Sequence, residues 1–302
     1  MGNLLPEVIS IIESKDPMHA KKIRRDLKNL GTEYFPKANR FLIKFDQFLQ
    51  GMDKNLDYGI ECYLKMIADF RYEHLRFFET GHYSSKSFEE VNQRVYNNTE
   101  IMEYYMIGQL LSRFLMPHHY NTFAFFAREL NKYGQNSSRY LEVGGGHGLF
   151  ISEAMNVLGD GVAFDLLDIS PSSIELSKKF IGSKKIHYIT CDILAYDPEY
   201  RYNFITMGEV LEHVEQPELL LDKLLDLLED EGTVYVTVPA NAAAIDHIFL
   251  FRNAEEIRDM LKEAGFAIMD ETSTYSENLS QEKAEAFKIP LMYGAFLRKT
   301  NK

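Results

Sequence analysis

The sequence contains only two cysteines, Cys62 and Cys191, in 302 residues. That is too few for a disulfide framework or a cysteine zinc site, and such sparing use suits a reducing compartment. No apolar run reaches the roughly 18 residues that a membrane-spanning helix needs. A basic excess is also missing. The chain has 33 Lys and Arg against 45 Asp and Glu, a formal net charge of -12. This argues against general nucleic-acid binding, which needs clustered cations to neutralise phosphates. The first six residues lack a basic leader region, Glu7 interrupts the apolar stretch, and Pro6 stands where a myristoylation pattern wants Ser or Thr. The expectation is a cytoplasmic protein with neither nucleic-acid nor membrane partners.

At 45% hydrophobic and 26% charged residues, the composition is that of a globular protein able to bury one or two cores. The charge is unevenly spread. Divided at Ser138, the first part carries a net +1 and the second -13, while 22 of the 39 aromatic residues lie in the first part. The polar stretch Lys132–Ser138 reads as a linker between two domains, 1–135 and 136–302.

In the first domain, apolar residues recur every three or four positions over Ala38–Leu49, Gly59–Phe78, Ser87–Asn97, Ile101–Leu115 and Asn121–Lys132. This spacing predicts an all-helical domain, broken at Gly81, Asn97-Asn98 and Pro117. The second domain alternates short β-branched runs with amphipathic segments. Strands are expected at Arg139–Val143, Val162–Leu167, Ile186–Thr190, Tyr202–Gly208, Gly232–Val238, Phe266–Thr272 and Leu291–Arg298. Such alternation implies an α/β, doubly wound, mainly parallel sheet covered on both faces. Ligands of these sheets sit at the carboxyl ends of the strands.

The first strand ends in Glu142-Val-Gly-Gly-Gly-His-Gly148. Glycines at 144, 146 and 148 let a ligand approach the backbone at a helix start. Their spacing fits neither the dinucleotide fingerprint nor a phosphate-binding P-loop. Glu142 would repel a phosphate and attract an amine, which opposes a nicotinamide-dependent oxidoreductase. The second and third strands end in Asp168 and Asp192. Acids there can accept hydrogen bonds from ribose hydroxyls and an adenine amino group.

Together these motifs, with Met207-Gly-Glu-Val-Leu-Glu-His-Val-Glu-Gln-Pro217 and Ala264-Gly-Phe266, resemble the class I S-adenosylmethionine-dependent methyltransferases over about Arg139 to Lys299. The resemblance implies a seven-stranded sheet with the last strand antiparallel. It further implies S-adenosylmethionine as cofactor, with Glu142 and Gly144, Gly146 and Gly148 at the methionine part. Asp168 and Ile169 would then hold the ribose side, Asp192 and Ile193 the adenine, and Glu209 would lie near the sulfonium. Gly145 departs from the Cys or Ser of many members, which is expected to loosen the loop.

Methyl transfer to a hydroxyl profits from a general base. The candidates are His213, His118, His119 and Tyr105, with Tyr104, Arg113, Tyr120 and His247 as substrate contacts. His147 is expected to contribute its backbone. No metal is expected, because Glu215, Glu218, Asp222 and Asp226 look like a solvated helix face. The acceptor is read as a small organic or natural-product molecule methylated on oxygen. A fainter similarity to peptide-modifying enzymes suggests a peptide C-terminal carboxylate instead, met by Arg71, Arg76, Arg113 or Arg128. A non-catalytic adenosylmethionine-binding module is the alternative of another class.

Overall fold

The structure is a computed structural model that describes residues 3–300. Met1 and Gly2, on which the reading of the amino terminus partly rests, lie outside the described residues. Two helices come before the five read from periodicity: α1 (Leu4–Lys15) and α2 (Pro17–Leu27). Helix α2 is short and charged, and buries only His19, Ala20, Ile23 and Leu27. Its start is set by Asp16, whose side chain accepts from the His19 N–H, and by Pro17 at the first helical position.

There follow α3 (Tyr34–Gln50), α4 (Leu56–Thr80), a short α5 (Phe88–Val91) running into a π-helical turn at Asn92–Tyr96, α6 (Thr99–Leu115) and α7 (Pro117–Gly134). Pro117 interrupts the chain between α6 and α7, as expected, but it also begins α7. A proline loses nothing there, since the first helical N–H has no partner in any case. His118 and His119 therefore stand in the first turn of a helix and not in a loop.

The second half holds β1 (Arg139–Val143), α8 (Leu149–Leu158), β2 (Ala163–Asp168), α9 (Pro171–Ile181), β3 (Ile186–Thr190), β4 (Tyr202–Gly208), α10 (Pro217–Leu227), β5 (Leu228–Ala240), α11 (Ala254–Glu263), β6 (Phe266–Tyr275), α12 (Gln281–Ala286) and β7 (Leu291–Lys299). The strands form one seven-stranded sheet in the order β3-β2-β1-β4-β5-β7-β6. All pairings are parallel except those of β7, which runs antiparallel to both β5 and β6. The order reverses between β1 and β4, and the carboxyl ends there open onto a crevice.

Alternation along the strands builds two cores. Tyr140, Phe164, Phe204, Tyr235 and Phe296 point to one face, while Leu141, Val143, Ile205, Val236 and Leu297 point to the other. On the first face, Phe126 of α7 packs against Phe150, Tyr235 and Phe296 at ring separations of 5.1, 5.0 and 6.5 Å. The aromatic core is therefore continuous across residue 135, with α7 serving as a covering helix of the sheet. Helices α10 and α11 cover the second face. Among the described residues no helix is long and apolar enough to cross a membrane.

Candidate active site

The carboxyl ends of β1, β2, β3 and β4 border a cavity of about 570 Å³. Its wall contains Gly144, Gly146, Asp168, Ile169, Asp192, Ile193, Glu209 and His213. These come from four separate strand ends, and each is a residue marked in the sequence. Asp168 is buried; its two carboxylate oxygens accept from the Gly146 and Ser170 N–H groups, both at 2.8 Å. Burial raises its pKa, and those two N–H groups partly oppose the rise. Asp192 accepts from Leu194 N–H and starts a short turn whose Ile193 side chain is buried.

The glycine loop is tightly constrained. Gly146 has φ +47°, and a Cβ there would stand 3.3 Å from the Sδ of Met106. A Cβ on Gly145 would come within 2.6 Å of Leu166 Cγ. Glycine at 145 thus fits the loop to the Leu166 beneath it, which corrects the expectation that it loosens the loop. Gly148 caps the start of α8 and packs beside Ile181, outside the cavity wall. The His147 side chain lines neither cavity, and its Nδ1 accepts from the Leu149 N–H.

Glu142 also lies behind the loop. Strand alternation turns it to the face of Tyr140, where it accepts from the Ile151 N–H of α8 at 2.5 Å. Burial pushes its carboxyl up to about 8, despite that hydrogen bond.

Glu209 follows β4 with φ +56°, a left-handed conformation that is uncommon for a residue with a side chain. It forms an ion pair with Arg113 of α6, and both are buried or nearly so. Burial would raise the Glu209 pKa, but the guanidinium outweighs it and holds the carboxylate ionised. Glu209 belongs to the walls of two cavities.

The second cavity, of about 340 Å³, lies between α2, α4, α7 and the ends of β5 and β7. Its wall includes His19, Lys22, Phe70, Arg71, His118, His119 and His247. Burial drives His118 and His119 well below the usual histidine range, so both are neutral. The Ser112 hydroxyl donates to the Gln109 carbonyl at 2.8 Å and lies 3.0 Å from His119 Nδ1. With its proton so used, Ser112 accepts from His119 Nδ1–H, and Nε2 of His119 keeps a free lone pair. His247 is likewise neutral, lowered to about 4 by burial and by the nearby His213. His213 is shifted the other way, because Asp246 and Glu212 outweigh the effect of burial.

Of the remaining candidates, Tyr105 donates to Asp246 Oδ1 at 3.1 Å, and its burial holds the phenol protonated. Asp246 lines the first cavity, so Tyr105 reaches that site through it. Tyr104 bonds Asp69 at 2.7 Å, and Tyr120 packs edge-on against Tyr34 at 4.9 Å; neither lines either of these two cavities. Arg71 is paired with Asp16, Arg128 with Glu129, and the Arg76 guanidinium lies over the Tyr72 ring. The sequence reading did not mark Phe88 and Tyr96 at the first cavity, or His19 and Lys22 at the second. No local motif announces them, since only the docking of α2 and of the π-helical turn brings them there.

Residues 117–271 match the methyltransferase domain family. Among curated proteins, the chain is 32% identical over 95 residues to malonyl-[acyl-carrier protein] O-methyltransferase 1 of Ilyobacter polytropus, covering 31% of this chain and 35% of that protein. It is 28% identical over 159 residues to the mitochondrial ubiquinone biosynthesis O-methyltransferase of Schizosaccharomyces pombe, covering 45% of this chain and 57% of that protein. The aligned parts thus span well under two thirds of these relatives. Among solved structures, the mitomycin 7-O-methyltransferase MmcR superposes with a TM-score of 0.54 at 9% identity, covering 81% of this chain and 70% of that one. The N-methyltransferase NodS of Bradyrhizobium japonicum WM9, solved with S-adenosyl-L-homocysteine, gives 0.51 at 16% identity, covering 72% of this chain and all of that one.

At this identity the two structures establish the fold alone. The first cavity fits the cofactor by its own chemistry, with a bare glycine cradle and a buried acid at the second strand end. The chain belongs to the methyltransferase domain family and is a class I, S-adenosylmethionine-dependent member of it.

Proposed function

We propose that this enzyme methylates a hydroxyl oxygen of a small organic acceptor held in the cavity between α2, α4 and α7. The observation that carries this reading is the position of Glu209 in the walls of both cavities. On this reading, molecules held in the two cavities lie on either side of that residue. The bound cofactor supplies a methyl group made electrophilic by a positive sulfur. The chain's own part is mainly alignment, and alignment alone can be worth about 7–11 kcal/mol in well-oriented reactions.

On this reading Asp168, Asp192 and the 144–148 loop hold the nucleoside and methionine ends, and Glu209 offers a fixed negative charge beside the sulfonium. Helix α6 lines the first cavity with Met102 and Met106. His119 is the group that takes the hydroxyl proton, at Nε2. Both curated relatives are named as O-methyltransferases, which supports oxygen over nitrogen.

A peptide carboxylate has less support. Arg113, its best partner in the sequence, is paired with Glu209, and Arg71 and Lys22 at the cavity are also paired with acids. A second, well-formed cavity touching the first at Glu209 favours an enzyme over a module that merely binds the cofactor.

The test is methyl transfer from a labelled donor to panels of phenols, aliphatic alcohols and carboxylates. Hydroxyl acceptors are expected to react, and His119→Asn is expected to lower kcat by about 10²- to 10⁴-fold. Affinity for S-adenosylhomocysteine should be unchanged in that variant. Turnover confined to carboxylates, with no loss in His119→Asn, would refute the reading.

A further inference from the structure

Glu212 lies three residues after Glu209, in the short turn Leu211–His213, and its side chain is wholly buried. Its backbone carbonyl is clamped by the Ile248 and Phe249 N–H groups at 2.7 and 3.0 Å, which fixes where the side chain starts. Yet neither carboxylate oxygen has a hydrogen-bond partner among the described residues. An orphaned carboxylate in such a place is costly unless something unseen completes it.

Two histidines face it. His213 Nδ1 lies 3.0 Å from the Asp246 carbonyl, and His247 Nδ1 lies 2.6 Å from the Ala242 carbonyl. A carbonyl only accepts, so each Nδ1 is a donor, and each Nε2 is the ring atom left to bind a metal, releasing any proton it carries as it does so. Those two Nε2 atoms lie 3.7 and 3.9 Å from the same oxygen, Oε1 of Glu212. Three potential ligand atoms thus converge, too far apart for direct hydrogen bonds. One donor atom from each residue falls within 4.8 Å of the others.

We propose that Glu212, His213 and His247 bind a divalent first-row transition-metal ion, with its open coordination positions directed at the acceptor. Metal-bound histidines usually donate their other ring N–H to a carbonyl or carboxylate, the arrangement seen at both rings here. Bonds of about 2.1 Å at tetrahedral angles set donors about 3.4 Å apart, so small side-chain movements close the site. Two imidazoles and one carboxylate suit zinc, manganese, iron or cobalt better than calcium, which prefers all-oxygen shells.

The location gives the ion a ligand class. His213 lines the cofactor cavity and His247 the acceptor cavity. An ion between them would meet an oxygen-bearing acceptor where the two cavities join. The family match carries no indication of a metal, and the expectation drawn from the scattered helix acids was that none binds. The site rests instead on a turn and a loop that only the fold brings together. The ion's contact with the acceptor rests on the hydroxyl-acceptor reading above.

The experiment is a calorimetric titration of the chelator-treated protein with Zn²⁺, and separately with Mn²⁺. One ion per chain is expected, with affinity falling at least 100-fold in Glu212→Gln and in His247→Asn. Glu212→Gln keeps the shape and removes the orphaned charge, so in chelator it should unfold at or above the wild-type temperature. Absence of stoichiometric binding of either ion, or equal affinity in wild type and Glu212→Gln, overturns the proposal. Binding is read without turnover, so its failure leaves the methyl-transfer reading standing, and a failed acceptor assay leaves the ion site standing.

Discussion

Arg113 and Glu209 are 96 positions apart in sequence and form one ion pair at the wall between the cavities. Alone, the arginine reads as a partner for a substrate carboxylate, and the glutamate as a cofactor contact. The pairing changes the chemistry of both, because a buried guanidinium already matched by a carboxylate is not free to hold another. Removing one member leaves the other charged and unpaired in a dry place, at a cost of about 3–5 kcal/mol. Arg113→Met should therefore lower stability by that amount in urea unfolding, and Arg113→Met with Glu209→Gln should recover most of it. Equal losses in the single and double variants would show that the pair is not the cause. Asp168, Asp192 and the 144–148 loop were legible because each stands at or just after the end of a strand. Glu142 was legible as an important acid but not as one facing α8, because its direction follows from strand alternation and from where the helix N–H groups end up.

Among the elements, the strands were read almost to the residue. Ile186–Thr190 and Tyr202–Gly208 match fully, while β5 begins four residues before its expected start. β-branched runs bounded by helices leave little ambiguity about what they form. Helix α1 carries a helical spacing in Leu5, Val8, Ile9 and Ile12 that went unread, whereas α2 was not legible, since it has a mostly charged surface and contributes only a narrow buried stripe. That stripe includes His19, which lies 2.8 Å from the Tyr63 hydroxyl of α4 and lines the second cavity.

Burial lowers the His19 pKa to about 4, from a usual 6.5. Above about pH 6.5 the folded and unfolded chains both carry a neutral imidazole, and the docking of α2 is undiminished. As pH falls from 6.5 towards 4, the unfolded chain takes up a proton that the folded one refuses, so stability declines. The difference in unfolding free energy between wild type and His19→Gln should therefore shrink over that interval and stay flat above it. A difference that is constant from pH 7 to pH 4 would mean that His19 is not held neutral by the fold.

For the molecule as a whole, the net charge of -12 has a place. Glu218 and Asp222 of α10 and Glu255, Glu256, Asp259 and Glu263 of α11 line one acidic groove. These helices cover the second face of the sheet, so the groove is separate from both cavities. The acid excess is thus a solvated outer face, as its helical spacing suggested, and it does not describe the acceptor.

The aromatic-rich first half supplies the continuous core under α7, part of the wall of the first cavity and much of the second. Whether two cavities would touch, and at which residue, depends on how α6 and α7 dock on the sheet, and no local pattern encodes that. The central claim is that the cofactor occupies the cavity at the strand ends and presents its sulfur to the wall formed by Glu209. A crystal structure of the complex with S-adenosylhomocysteine tests it most directly. The expected result is ribose on Asp168 and the sulfur facing Glu209, with the cavity of His118 and His119 left open. A ligand lodged against His118 and His119, with the glycine loop uncovered, would contradict the account.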